Sequence, residues 1–523
     1  MKDLLEGAPA FFAPAWCFAL GIAAGYYPLS LDWRLRLALA LLSIIILIGL
    51  LFSGMRGPRI ALALALCLGA LLGVFLALGE AGRPSFAAQG VGMGAPDKPA
   101  GGYVRTLRVV GVEAVLASDS RPARGGLRSY DLELSGVYLA APGMRARCEA
   151  RGGLRALVRE GPSLASGAQL RVDGELGATG LFFANSGSLL VRSEGDALAR
   201  TRNRVHEGFI AALGLAVRGR AGPSGDRGIE DEAGLLIALL SGWQDQLSPA
   251  IEAAFRGAGC THILALSGQH LALIAAGLAL LLRPLLGPRR SLIPVLCSVG
   301  LYVVVVGPGP SLLRSLISFG IAAVATLLDR PQDGRSLLGL CFSLHALLFP
   351  ADLREAGYVL SYLAVGGLVV LGPRFEYLLA PLCPPPLSSA FSASLAAQAA
   401  TSPWIAIFFG VFQPVGILAT VLTATLVEGL MIFGLVSALL ASVVPALALL
   451  TSPLTRLLLH SLIAAMDFFA RLPSLTLVAP EARIAVAVAV AAFALFIYAR
   501  PHADYRRARR SWEERRGGRV SSP

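Results

Sequence analysis

Ser267, His270 and His262 stand close together in an otherwise apolar stretch, residues 260–283, CTHILALSGQHLALIAAGLALLLR. A serine with a histidine one helical turn away can serve as nucleophile and base, and two histidines can share a metal. The stretch is long enough to cross a bilayer. Lipid offers no partner to a polar side chain, so such groups in a spanning segment face a bundle interior or a wet cavity. At about 100° per residue, Ser267 and His270 fall about 60° apart on one helix face, and His262 about 80° from His270. All three are then expected to point into one cavity, with Gln269 beside them. Gly268 is a place where a helix can bend or a ligand can approach the backbone. The plain alternative is that Ser, Gln and His simply bond neighbouring helices together.

Chemistry at this cluster lacks a partner in the sequence. No acid or third ligand stands near Ser267 and His270 to orient a base. The six histidines (206, 262, 270, 345, 460 and 502) are scattered, and the seven cysteines show no C-x-x-C or other metal-ligand spacing. No catalytic set, metal site or cofactor is therefore expected. The cysteines read as small apolar fillers.

The elements that must hold this cluster belong to a polytopic helical membrane protein. The chain has 523 residues, of which only 15% are charged, and its mean hydropathy is +0.68. Three apolar runs open it, at 11–29, 35–52 and 60–78, each about the 20 residues that a hydrocarbon core requires. The start carries Lys2, Asp3 and Glu6, and reads as having no cleavable signal peptide. Residues 1–80 thus form an N-terminal transmembrane block.

Residues 81–230 change character. Gly, Pro and Arg rise, and short alternating stretches appear at 103–110, 112–116, 129–138, 146–157, 169–176 and 188–192. Alternation with glycine-rich turns predicts a small antiparallel β domain. A barrel of the oligonucleotide-binding type fits the pattern, and so does another small β fold. The block holds 20 Lys plus Arg against 14 Asp plus Glu, a surplus of 6. A basic β domain suits a polyanion, but so few aromatics leave a spacer with a solvated surface equally open. The segment 200–227 is basic with helical patches.

Residues 231–499 are apolar again. Two short helices with polar faces are expected at 232–243 and 248–256, lying in the interface or re-entering the bundle. Then come the central segment and further runs at 292–306, 311–328, 336–349, 356–371, 390–412, 415–444, 454–472 and 484–498. Several are short for a full span and are cut by Gly and Pro. Such breaks at membrane depth are tolerated only inside protein or along a wet path. The run 415–444 is long, and reads as one tilted helix or two halves. Seven to nine helices are expected here.

Residues 500–523 form a basic tail with eight Arg against three acids. The positive-inside rule places it in the cytoplasm. The β domain is expected outside.

The stretch 239–273, LLSGWQDQLSPAIEAAFRGAGCTHILALSGQHLAL, resembles the ComEC family of bacterial DNA-internalisation channels. The family pattern G-x-x-H-L-L-A-I-S-G-L-H is matched at Gly259, His262, Ala265, Ser267, Gly268 and His270, with Gln269 in place of Leu. Residues 310–315, PSLLRS, resemble the family's P-S-x-x-R-A, with Arg314 as an intramembrane arginine. Residues 357–365, GYVLSYLAV, resemble G-F-Q-L-S-F-x-A-V, supplying Gly357 and Ser361.

This resemblance implies a channel for uptake of single-stranded DNA across the cytoplasmic membrane in natural transformation. It implies His262, Ser267, Gly268, Gln269, His270, Arg314, Gly357 and Ser361 as channel candidates, and membrane lipids as surroundings. Many relatives continue into a metallo-β-lactamase-like domain, whereas this chain stops at Pro523 with no H-x-H-x-D-H run. It reads as a short form, with a separate nuclease as partner. No G-x-x-x-x-G-K-[ST] loop is present, so an ATPase or helicase motor is a second implied partner. Arg314 at membrane depth is costly unless it meets water or an anion. A buried pair with Glu355 or Glu428 is the competing reading. The rivals in function are an intramembrane Ser/His or metal-dependent enzyme, and a transporter of another polyanion or a lipid-linked sugar.

Overall fold

The computed structural model describes residues 108–141, 144–148, 152–176, 180–220, 225–330 and 334–499. The three expected N-terminal spans and the basic tail lie outside the described residues.

The β region is built on alternation. Strand β1 (Arg108–Leu116) buries Val112, Ala114 and Leu116. Strand β3 (Leu127–Ala141) buries Tyr130, Leu132 and Leu134, and turns the acids between them outward. After β2 (Arg121–Pro122) and β4 (Met144–Cys148) come β5 (Gly152–Arg159), β6 (Gln169–Asp173), β7 (Glu175–Leu176), β8 (Phe182–Asn185) and β9 (Leu189–Ser193). The inner residues of β1, β3, β5, β6 and β8 form one apolar cluster closed by Phe182. The expected strand at 146–157 is two strands, β4 and β5, and the one at 169–176 is likewise two, β6 and β7.

Strand β1 pairs antiparallel with both β3 and β6, and β3 pairs with β5. The β5–β8 pair is parallel, and β6 pairs antiparallel with β9. Strands β8 and β9 are consecutive pieces of one path, divided by the turn at 186–188. The path therefore runs from β5 round to β6. This is the pairing order of the oligonucleotide-binding type of Greek-key barrel, with its last strand broken in two.

Helix α1 (Ala197–Arg218) follows directly, as one continuous helix across the segment expected to be only patchily helical. Its second half enters the helical core through Ile210, Leu213, Ala216 and Val217. Helix α2 (Arg227–Ser241) is buried at every position from Glu232 to Ser241. A helix apolar all round sits in a core, so α2 is a central strut and not an interfacial helix with a polar face. Helix α3 (Pro249–Gly257) starts with Pro at N1, as the sequence predicts.

The remaining helices are α4 (Thr261–Leu264), α5 (Gly268–Arg290), α6 (Leu292–Val306), α7 (Pro310–Leu327), α8 (Gly334–Leu348), α9 (Ala356–Val370), α10 (Gly372–Leu379), α11 (Pro385–Phe409), α12 (Val415–Val443), α13 (Leu447–Ala470) and α14 (Pro480–Ala499). Among the described residues, α5, α7, α12, α13 and α14 are long and apolar enough to span a membrane. The pair α9–α10, bent by 50°, adds a sixth if counted as one span. Helix α12 is a single unbroken helix of 29 residues, which decides between the two readings of that run. Helices α6 and α8 are short apolar helices, as their Gly and Pro boundaries suggest.

The sheet docks on the helices through charge. Arg202 of α1 grips Asp119 with bonds of 2.7 and 3.0 Å. Arg128 of β3 reaches Glu207 of α1 at 2.6 Å, and Arg124 pairs with Asp231 of α2. Asp245, in the loop after α2, lies 3.8 and 3.9 Å from Arg121 and Arg155. Burial pushes its carboxyl up, and the two arginines only partly offset this. Asp131 faces the same arginines. Burial opposes its charge too, but Arg121 and Arg155 outweigh it and hold that carboxyl below the usual range. His206 is buried in the same joint, its ring 4.1 Å from that of Trp243.

Candidate functional site

The polar cluster forms where the chain breaks. Residues 260–283 are not one helix. Helix α4 is a single turn, Ala265 and Ser267 are extended, and α5 starts at Gly268 with Ser267 as its N-cap. Serine is a favoured N-cap because its side chain competes with helical bonding. The His270 ring takes the part that Glu or Gln plays in a capping box. The Ser267 backbone N–H donates to His270 Nδ1 at 3.1 Å, and Ser267 Oγ lies 2.9 Å from the same nitrogen. Burial of His270 and Leu271 confines this end of α5 within protein, while Leu280, Leu281 and Leu285 further along are exposed.

Gly268 permits the next contact. A Cβ there would fall inside contact distance of Ser315 Oγ and 3.0 Å from Arg314 Nη2. Helix α7 therefore approaches the start of α5 over a bare backbone. Arg314 Nε donates to Ser361 Oγ of α9 at 2.6 Å, and Nη2 donates to Ser315 Oγ at 3.1 Å. Ser311 Oγ lies 3.2 Å from Ser361 Oγ. Three stretches far apart in sequence thus meet in one junction of α5, α7 and α9.

The charge balance of this junction is uneven. Among the described residues no carboxylate pairs with Arg314. Both acids suggested as partners are elsewhere: Glu428 of α12 accepts from Gln269 Nε2 at 2.6 Å, and Glu355 is the N-cap of α9. The arginine lies at the α7–α9 crossing between hydroxyls, while Glu428 is engaged by Gln269. The first turn of α5 adds N–H groups carrying positive partial charge beside Arg314. Such a place favours an anion.

Two expected members stand apart. His262 is exposed on α4, on the far side of the break, and makes no hydrogen bond to Ser267 or His270. The helical-wheel argument fails for it because no common helix exists. Gly357 is exposed in the first turn of α9 with open space around it. Ser267, Gly268, His270, Arg314 and Ser361 do converge, and Gln269 adjoins them.

The arrangement is poorly equipped for serine chemistry. Ser267 and His270 are close, but their bonding closes a helix end. His270 Nε2 is buried without a well-formed bond, and the group it approaches is the backbone of Leu239, not a carboxylate. Among the described residues no three His, Cys, Asp or Glu gather as metal ligands.

Sequence reasoning missed several members. Ser311, Ser315 and Ser318 flank Arg314 at helical spacing, a polar stripe on one face of α7 that was there to be read. Cys341, His345, Asp352 and Tyr362 lie behind it, and their meeting depends on the α8–α9 hairpin. Cys341 Sγ donates to the Arg314 carbonyl at 3.2 Å.

A second basic group lies on the sheet. Glu113 accepts from Tyr138 Oη, Arg147 Nε and Arg192 Nη2, each at 2.8 Å. The Tyr138 bond foremost, then Arg147, hold its carboxyl below the usual range. Arg171 lies over the Tyr138 ring at 4.1 Å.

Comparison with known proteins bears on the helical region. A family model described as Competence protein matches residues 239–503, just over half of the chain. ComE operon protein 3 of Bacillus subtilis (strain 168) is 30% identical over 149 residues, which is 28% of this chain and 19% of that relative. The match thus spans about a fifth of the relative's length. No solved structure matches. The match contains α3 to α14 and every residue of the α5–α7–α9 junction. With its several apolar helices this is a multi-pass inner-membrane protein, and by that family match the chain belongs to the competence protein family.

Proposed function

We propose that the chain is a conduit for single-stranded DNA across the cytoplasmic membrane in natural transformation, with the α5–α7–α9 junction on the path. One observation carries this reading. Arg314, in an apolar spanning helix, is held by Ser315 and Ser361 with no carboxylate among the described residues. An intramembrane cation without a counter-charge is expensive unless water or an anion meets it. Hydroxyls orient the guanidinium without neutralising it, and a passing phosphodiester supplies the charge. Ser267 and His270 shape the start of α5 as positioning residues. The basic sheet, on the outer side, collects the polyanion by salt-sensitive phosphate contacts. A separate nuclease supplies the single strand, and a motor or helicase works on the inner side.

The test is uptake of labelled DNA into a nuclease-protected cytoplasmic state, in a competent host lacking its own channel. The wild-type chain restores uptake. Arg314→Ala and the Ser267→Leu/His270→Leu double variant insert in the membrane but do not. Restoration by inserted Arg314→Ala overturns the assignment of the path. Failure of the inserted wild-type chain overturns the conduit itself.

A further inference from the structure

Behind Arg314 a chain of titratable and hydrogen-bonding groups leads to the exposed turn between α8 and α9. His345 of α8 is wholly buried. Its Nε2 lies 3.0 Å from Asp352 Oδ2 in the short 3-10 turn Pro350–Arg354, and its Nδ1 lies 3.2 Å from Tyr362 Oη of α9. Tyr362 Oη is 3.4 Å from Cys341 Sγ. Cys341 donates to the Arg314 carbonyl, and Ser318 Oγ donates to that same carbonyl at 2.9 Å and lies 3.2 Å from Cys341 Sγ. Asp352 is partly exposed, so this chain of bonds reaches the protein surface at the turn.

Counting donors shows what a proton does here. With His345 neutral, Nε2–H donates to Asp352, and Nδ1 accepts the Tyr362 hydroxyl proton. When a proton arrives at Nδ1, both ring nitrogens become donors. The Tyr362 oxygen must then accept, and its hydroxyl proton turns toward Cys341 Sγ. The Cys341 S–H, which can turn to the Tyr362 oxygen as well as to the Arg314 carbonyl while His345 is neutral, is then confined to that carbonyl, where it competes with Ser318. The state of His345 is thereby written into the bonds on the backbone of Arg314. Charge acts in the same direction, since Arg314 lies close enough to act electrostatically on both Cys341 and Tyr362.

We propose that His345, between Asp352 and Tyr362, is a proton-binding site linked to anion occupancy at Arg314, so that the conduit binds protons together with its polyanion. This rests on the conduit reading above. Linkage is reciprocal: an anion at Arg314 tightens proton binding at His345, and a proton at His345 tightens anion binding at Arg314. Chains of Asp, His and hydroxyl groups at membrane depth are the usual material of proton relays. The groups that face His345 are Asp352 on the turn, Tyr358 and Tyr362 on α9 and Cys341 on its own helix. Arg314 of α7 stands behind Tyr362, and Glu355 lies beside Asp352. Tyr358 and Phe349 pack on the imidazole and hold its plane.

Two measurements on the full chain test this. The first is a titration of isotope-labelled histidine by NMR in nanodiscs, with the His345 signal assigned by His345→Gln. Arg314→Gln should move its midpoint by about threefold or more in proton affinity, toward tighter binding, and Tyr362→Phe should shrink that shift. Tyr362→Phe keeps the ring packing and the His345–Asp352 contact, so it separates linkage from folding. A midpoint indifferent to Arg314→Gln, or a shift untouched by Tyr362→Phe, overturns the proposal. The second is DNA uptake against external pH in complemented cells. Wild type should vary with pH, and inserted His345→Gln should flatten the profile. Uptake with the same pH profile in both overturns proton linkage while leaving the conduit standing. No uptake by wild type sinks the conduit, and the NMR titration still decides whether His345 and Arg314 are linked.

Discussion

Arginines meet their partners differently on the sheet and in the bundle. On the sheet, exposed Arg147 and Arg192 converge on Glu113, and Arg171 pairs with Asp173. In the bundle, half-buried Arg314 has two serine hydroxyls and no carboxylate among the described residues. Glu113 itself is buried, but Arg147 and Arg192 remain exposed, so a phosphate can share these arginines while Tyr138 still holds the acid. A cation at membrane depth gains no such relief from solvent. The sheet therefore presents exposed arginines that already share a carboxylate, and the bundle holds Arg314 without one among the described residues. The second arrangement is the more diagnostic, because hydroxyls orient the guanidinium without neutralising its charge.

The largest expected effect follows from that contrast. Arg314→Ala should lower DNA uptake by at least about tenfold, while Arg147→Ala/Arg192→Ala should lower it only about two- to fivefold and soften its salt dependence. Equal losses would erase the distinction between the two regions.

Gly268 sharpens the comparison by geometry. Gly268→Val forces α5 away from Ser315 and Arg314, and should cost about 1–3 kcal/mol of stability. Thermal unfolding in detergent measures this, and the same substitution at Gly357, in open space, serves as the control.

The joint between the regions should be sensitive to acid. Burial foremost holds the His206 imidazole down, from 6.5 to about 4. The unfolded or undocked state therefore takes up the proton first. The contribution of this group is full above about 6.5 and is lost as pH falls toward about 4. Hydrogen exchange along α1 should accelerate over that window, and His206→Phe should flatten the response.

The smallest effect is expected at Gln269. Gln269→Leu removes its bond to Glu428, a contact with no part in the Arg314 junction. Uptake should stay within about twofold of wild type, the size of effect expected for a single exposed hydrogen bond.

How much of this was legible in the sequence differs between elements. Alternation in 129–138 gave the middle of β3 but not its ends at Leu127 and Ala141, because one buried face fixes a period of two and not where pairing stops. The short helix 292–306 was readable to its ends from Gly307–Pro310 and the apolar run before it. The central segment was not, since apolarity alone does not show that Ser267 and Gly268 stop one helix and start another. That error displaced His262 from the cluster. The polar face expected on α2 was also wrong: Glu232 is buried against Arg456 of α13, 3.0 Å away, a partner more than two hundred residues on. Ser361 and Arg314 were found as motif members, but their hydrogen bond depends on the crossing of α7 and α9, which no local pattern encodes.

The most direct test of the central claim is cross-linking during uptake. A photoreactive amino acid replaces Ser311, beside Arg314 and Ser361, or Leu281 on the exposed apolar face of α5. Radiolabelled DNA is then arrested in transit and irradiated. The account predicts a DNA adduct at position 311, lost on adding Arg314→Ala, and none at 281. Active uptake with no adduct at 311, or equal adducts at both positions, would contradict it.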